Sequence, residues 1–375
     1  MLSYRRLTVL LALSACLAGI SCRRTHASAH IDSAALLQIV RDYNPSKQAS
    51  PVAAAAPRAE RTKISTENLQ TEQEYESPIK QDFSQGKFDQ LEKAATEARV
   101  RKGRIIGGAW KLFVFYEAID KTFIRDHADE SDWKIYFDTL KQWIAAKPES
   151  AAARLSLAQA YLSYAWDARG HGYADSVTDK AWELFGDRIA MASASLAEAA
   201  RLKEKDPYWY ELMQMLALDQ GWDKSQAREL LEQAAASEPG YYHYYREYAN
   251  FLQPRWYGEE GEVEAFAEEI SNRVGSQEGD FLYFEIASLL ACQCDPDKNA
   301  LQSMSWPKIK LGYAALEQLY GVSDLKRNRF ASMAVKAGDK AAAREAFADI
   351  GDNWEKSVWV SSAKFQNAKT WATSE

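Results

Sequence analysis

The sequence predicts an all-α protein of stacked antiparallel helix pairs, on three observations. From Asp82 onward apolar residues recur at spacings of three and four, as in FDQLEKAATEARV (Phe88 to Val100), WKLFVFYEAI and WKIYFDTLKQWIAA. No segment alternates with the period of two that a half-buried strand needs, and Val-Ile-Thr runs are few. Prolines, tryptophans and glycines then recur in one order along the chain. The 375 residues, 47% hydrophobic with 12 Trp and 19 Tyr, supply enough apolar surface for one continuous core.

In chain order, residues 1–29 are expected to be a signal peptide. MLSYRRLTVLLALSAC has Arg5 and Arg6 ahead of an apolar run from Leu7 to Leu13. Leu13-Ser14-Ala15-Cys16 has the pattern of a lipoprotein box, in which Cys16 is lipidated after cleavage; Ala27-Ser28-Ala29 offers a second cleavage site. Lipid anchoring and free secretion both stay open, and the run is too short to be a spanning helix. Removal of these residues takes away four arginines and no acids, leaving 42 basic against 53 acidic side chains. That balance argues against a nucleic-acid partner.

Residues 30–81 are expected to hold a short helix and a flexible tether. His30 to Tyr43 can place Ala34, Leu37 and Val40 on one face, whereas Asn44 to Pro78 is rich in Ala, Pro, Ser and charge. The helical-repeat domain is expected over residues 82–373. Within it Pro148, Pro207 and Pro239 each open a unit. An aromatic or apolar helix follows each proline, then a tryptophan (Trp166, Trp222, Trp256) with glycines beside it. An alanine-rich helix closes each unit: ASASLAEAARL, SQARELLEQAAA and VEAFAEEISNRV. Pro207 and Pro239 lie 32 residues apart, close to the roughly 34 of a tetratricopeptide repeat. The 59 residues from Pro148 to Pro207 place an insertion in the first unit. FASMAVKAGDKAAAREAFADIG (Phe330 to Gly351) reads as a late unit joined at Ala337-Gly338-Asp339. The expected architecture is therefore a tetratricopeptide-like right-handed superhelix.

WKLFVFYEAI, ARLSLAQAYLSYAWDARGHGYADSVT, DPYWYELMQMLALDQGW, EPGYYHYYREYANFLQPRWYGEEG and AGDKAAAREAFADIGDNWEKSVW resemble a bacterial family of unknown function with a tetratricopeptide-like domain. The resemblance covers Phe83 to Trp371 and is carried most specifically by the YAWxARGxGYA and PRWxG signatures. It implies the fold and no activity.

Chemistry is expected, if anywhere, in the loops. YAWDARGHGYADSVT (Tyr164 to Thr178) gathers Trp166, Asp167, Arg169, His171, Tyr173 and Asp175 around Gly170 and Gly172. His171 oriented by an aspartate could serve as a base, but no nucleophile elbow or phosphate loop accompanies it. The glycine pair follows a helix rather than a strand, which fails the context of a dinucleotide motif. A purely structural loop, with Arg169 paired to Asp175, explains the same residues. PRWYGEEGEVE places Arg255, Trp256 and Tyr257 in a comparable loop, where Arg255 could stack on Trp222 or Tyr257. Units stacked with a fixed offset would set Arg169, His171, Asp223, Arg255 and Trp256 along one edge.

YYHYYREYANFL supplies five tyrosines, with Tyr241, Tyr244, Tyr245 and Tyr248 on one helical face and Tyr242 beside Arg246 on another. That face is either core or the lining of a groove. Cys292 and Cys294 have no further Cys or His near enough in sequence to complete a metal site. No catalytic residues, metal or cofactor are assigned. The function expected is an exported helical-repeat binding or scaffold module recognising a protein or peptide in the cell envelope, touching the membrane only through a lipid at Cys16. The alternative is an envelope hydrolase using the Asp167, Arg169 and His171 loop.

Overall fold

A computed structural model describes residues 32–43, 69–123, 128–170, 172–291, 301 and 303–374. The signal region with Cys16, most of the tether, His171, Cys292 and Cys294 lie outside these residues. The described residues form seventeen helices, are 76% helical, and include no strand. The one extended pairing among them is an isolated antiparallel bridge between Arg104 and Trp110.

The helices are α1 (Ser33–Tyr43), α2 (Glu72–Ser84), α3 (Phe88–Arg101), α4 (Lys111–Phe123), α5 (Glu130–Ala146) and α6 (Ala151–Arg169). They continue as α7 (Asp179–Ala200), α8 (Tyr208–Gln220), α9 (Lys224–Ser237), α10 (His243–Phe251), α11 (Glu262–Val274) and α12 (Ser276–Ala291). The last are α13 (Trp306–Tyr320), α14 (Asp324–Lys336), α15 (Lys340–Ile350), α16 (Lys356–Trp359) and α17 (Ser362–Thr373). Their starts are written in the sequence. Thr71 with Glu74 and Asp129 with Asp132 close capping boxes, and the Ser150, Thr178, Ser323, Asp339 and Ser361 side chains each accept from the first turn they precede.

The expected pairing holds. α6 packs on α7, α8 on α9, α10 on α11 and α14 on α15. These are the units opened by Pro148, Pro207 and Pro239 and the late unit. The even-numbered helices from α2 to α14 also touch in succession, so they form one continuous layer, with the odd-numbered partners behind. Ala158, Ala160 and Ala234 are buried at these crossings. Where α13 meets α12 even an alanine is too large: a Cβ on Gly312 would lie 2.2 Å from the Asp280 carbonyl oxygen.

Three expectations need correction. The folded part does not begin at residue 82, which falls inside α2, with Ile79 and Phe83 buried. The polar, proline-containing composition of Glu72 to Pro78 suggested a tether, but the capping box and the buried side of α2 hold it helical. The short helix α1 is part of the array rather than a lead into a linker. It packs on α7 and α9 through Leu36, Leu37, Val40 and Tyr43, while Ala34 is exposed. Tyr43 stacks on Trp209 at 4.0 Å and exchanges hydrogen bonds with the backbone of Asp206. Lastly, α10 starts only at His243, so Tyr241 and Tyr242 precede the helix instead of lying on its faces; all five tyrosines of YYHYYREYANFL are buried, as the core reading of that stretch expects. Among the described residues no helix is long and apolar enough to cross a membrane.

Candidate functional site

The two signature loops meet. Trp166, near the end of α6, and Trp256, in the loop after α10, pack edge to face with ring centroids 5.9 Å apart. Tyr257 lies over Gly221, where an added Cβ would come within 2.9 Å of its hydroxyl oxygen. The loops of the three proline units therefore share one edge, as the repeat spacing implied.

Within that edge the arginines differ from expectation. Arg169 does not reach for Asp175. Its guanidinium lies about midway between the Trp166 and Trp182 rings (5.0 and 5.1 Å), and Nη1 donates to the carbonyls of Gly170 and Gly172 at 3.1 Å each. It closes the C-terminal end of α6 and fixes the loop. Arg255 is exposed and lies over its neighbour Trp256 at 5.5 Å, where the sequence suggested Trp222 or Tyr257, and its Nη2 donates to Asn250 Oδ1 at 3.4 Å. Asp167 is exposed, 3.8 Å from Arg188, while Tyr173 and Asp175 are exposed on the loop. Asp223 caps α9. Truncating Arg169 to alanine removes both carbonyl bonds and the double stack, and should cost about 1–3 kcal/mol. Arg255→Ala should stay within about 0.5 kcal/mol. Thermal or chemical melts of the two variants check this; equal effects would mean the loop is held otherwise.

Beneath the edge lies what the sequence reading did not find. The Trp166 indole N–H donates to Asp219 Oδ1 at 3.1 Å, and Asp219 Oδ2, out of reach of solvent, has no hydrogen bond among the described residues. Burial drives the Asp219 carboxyl well above its usual range, and the negative charge of Glu247 adds to it. Glu247 itself, on α10, is raised by burial, with Glu117 of α4 adding repulsion against the relief given by Arg246. Glu211 on α8 is buried, accepts from the Tyr241 hydroxyl at 2.6 Å, and is pushed well above its range by burial and then by Glu247. Asp120 of α4 completes the row. It accepts from Ser163 at 3.2 Å, and burial followed by Glu117 pushes it up to about 7.

These acids all sit on α4, α8 and α10, in the one layer of even-numbered helices. Glu117, Asp120, Asp219 and Glu247 keep partial solvent contact, yet desolvation is the largest influence on Asp120, Asp219 and Glu247. Gln214 follows Glu211 by three residues and so emerges from the same face of α8. It is 1% exposed, and neither its amide nitrogen nor its amide oxygen has a hydrogen-bond partner among the described residues. His243, stacked on Phe113 at 3.9 Å, is kept neutral by burial and by Arg246, Arg104 and Lys326. Among the described residues no group of three or more His, Cys, Asp or Glu side chains is placed to hold a metal ion.

The signal for these buried polar groups was present in YWYELMQMLALDQ. A helix that is apolar on every side except for Glu211, Gln214, Asp219 and the terminal Gln220 must bury polar groups wherever it packs in a core. Comparison of the chain with protein-family models, with curated proteins and with solved structures finds no match in any of the three.

Proposed function

We propose that the protein is a helical-repeat binding module of the cell envelope, exported and either free in the periplasm or held by a lipid at Cys16. On this reading it recognises a protein or peptide partner along the layer of even-numbered helices. The observation that supports it best is the set of buried acids on that layer. A core that needed only stability would replace Glu211, Gln214, Asp219 and Glu247 with apolar side chains, because each buried, poorly paired polar group costs about 1–3 kcal/mol. Costs of that kind are typical of positions kept for binding. The resemblance of the YAWxARGxGYA and PRWxG segments to a tetratricopeptide-like family agrees with a binding role and implies no reaction.

Capture from envelope extracts tests the reading. Full-length protein should retain a partner that the Glu211→Gln/Glu247→Gln variant loses, while Tyr173→Ala, altered on the exposed loop, retains it. Equal capture by all three would place binding elsewhere. Absence of any captured partner would overturn the reading itself.

A further inference from the structure

We propose that the surface beneath α1, built from α7, α9 and the start of α8, is a recognition groove for an amphipathic helix of a partner protein. On this proposal α1 is the chain's own occupant of the groove and is exchangeable for that helix. The groove uses none of Glu211, Asp219 and Glu247, so this inference and the reading of the even-numbered layer stand or fall separately.

Two observations carry it. The first is how α1 is held. Its 11 residues fall short of the roughly 12–15 at which an isolated helix becomes even marginally stable in water, so docking keeps it helical. It packs on α7 and α9, six and eight helices further along the chain. Residues 44–68 join it to the next described segment. Its docking is therefore an intramolecular association, with an effective concentration on the order of millimolar.

The second is the chemistry of the contact, which is that of a helix seated in a groove. Leu36, Ile39, Val40 and Tyr43 recur at i, i+3, i+4 and i+7 and pack against the body, with Leu37 buried beside them. Tyr43 stacks on Trp209 at 4.0 Å, meets Tyr210 edge-on at 5.2 Å, and has Lys205 Nζ 4.4 Å from its ring centre. Its hydroxyl accepts from the Asp206 N–H at 2.9 Å and donates to the Asp206 carbonyl at 3.2 Å. At the rim, Arg41 donates to both carboxylate oxygens of Glu229 on α9, at 2.6 and 2.9 Å. The tyrosine fixes how deep the helix sits and the arginine fixes its register. Without α1 the buried faces of Trp209 and Tyr210 would lie bare together, an apolar patch that calls for a new occupant.

That occupant is a helix with apolar residues at i, i+3 and i+4, a basic residue at i+5 and tyrosine at i+7. The α1 of a second copy has the same affinity but lacks the tether, so at micromolar protein it loses to the resident helix. A partner helix of higher affinity does not.

The experiment uses the full-length chain with a specific protease site placed within residues 50–56. The probe is a fluorescent peptide of Ser33 to Tyr43, SAALLQIVRDY, followed by anisotropy before cleavage and after cleavage and gel filtration. The cleaved chain should stay folded by circular dichroism and bind the peptide at least about tenfold more tightly than the uncleaved chain, whose groove is filled. A peptide with Ser33, Gln38 and Asp42 changed to lysine should bind the cleaved chain within about threefold of the original, because those positions lie outside the contact. The Tyr43→Phe peptide leaves the buried Asp206 N–H unpaired and should bind about tenfold more weakly. A cleaved fragment that never leaves or exchanges, or a body that unfolds when it leaves, would show α1 to be a fixed part of the core and overturn the proposal. Equal binding of the Tyr43→Phe peptide would overturn the recognition assigned to the hydroxyl. Uncleaved chain eluting as a dimer would give the groove to a second copy and overturn the partner helix.

Discussion

Replacing Asp206 with alanine is expected to lower the stability of the array by about 3–5 kcal/mol, the range for removing one partner of a buried ion pair. Asp206 lies in the turn that opens α8, and its side chain is fully buried. Its carboxylate accepts from Arg99 Nε and from the Tyr116 hydroxyl at 2.8 Å each, and from the backbone N–H of Tyr208 at 2.9 Å. Its backbone N–H and carbonyl hold the Tyr43 hydroxyl. One residue thus ties α1, α3, α4 and α8 together. Without it the Arg99 guanidinium, whose side chain is 11% exposed, keeps Glu204 as its remaining ion-pair partner. Chemical denaturation of Asp206→Ala measures the loss, and Asp206→Asn, which keeps the acceptor for Tyr208, should lose less. A change below about 1 kcal/mol would mean that the four helices are held by apolar packing alone.

The second large effect is expected at the pair between α12 and α14. Lys326 Nζ bonds both oxygens of Glu285, 2.6 Å to Oε2, with the side chains 9% and 0% exposed. Burial pulls the Lys326 ammonium down to about 8 despite the Glu285 carboxylate that opposes the shift. Lys326→Met should cost about 3–5 kcal/mol, because Glu285 is left buried with only the more distant Arg246. The double variant Glu285→Leu/Lys326→Met should recover most of that loss, since an apolar pair of similar volume needs no desolvation of charge. A double variant that stays several kcal/mol below the native protein would show that the pair contributes more by attraction than its burial costs.

The architecture was legible because helical periodicity and the proline-to-tryptophan order are local properties of the chain. Trp166 meeting Trp256 followed from the fixed offset between units alone. The start of the fold was not legible: Glu72 to Pro78 reads as solvated linker, and only the docking of Ile79 and Phe83 makes it α2. Arg169 reads in the sequence as the partner of Asp175, but its partners are two carbonyls and two indole rings, which no charge pattern announces. The buried acids escaped because they come from three helices far apart in sequence. Only the fold shows that Tyr241, just ahead of α10, and Glu247 on α10 lie against Glu211.

The most direct test of the central claim, that burial in the layer of even-numbered helices keeps these carboxyls protonated, is infrared titration of the acid carbonyl band in the full-length protein. The sign follows from the direction of the shifts. Asp120 is raised to about 7, and Glu211, Asp219 and Glu247 are raised, so the native state holds protons above the ordinary carboxylate range that the unfolded chain has released. Stability from these groups is therefore full in acid and is lost as pH rises through the folded values. The charged groups facing them are Glu117 of α4, Arg246 of α10, and Arg169 beside Asp219. The account predicts a protonated-carboxyl band that persists near neutral pH and shrinks in Glu211→Gln. A spectrum with every carboxyl already ionised at mildly acid pH would contradict it.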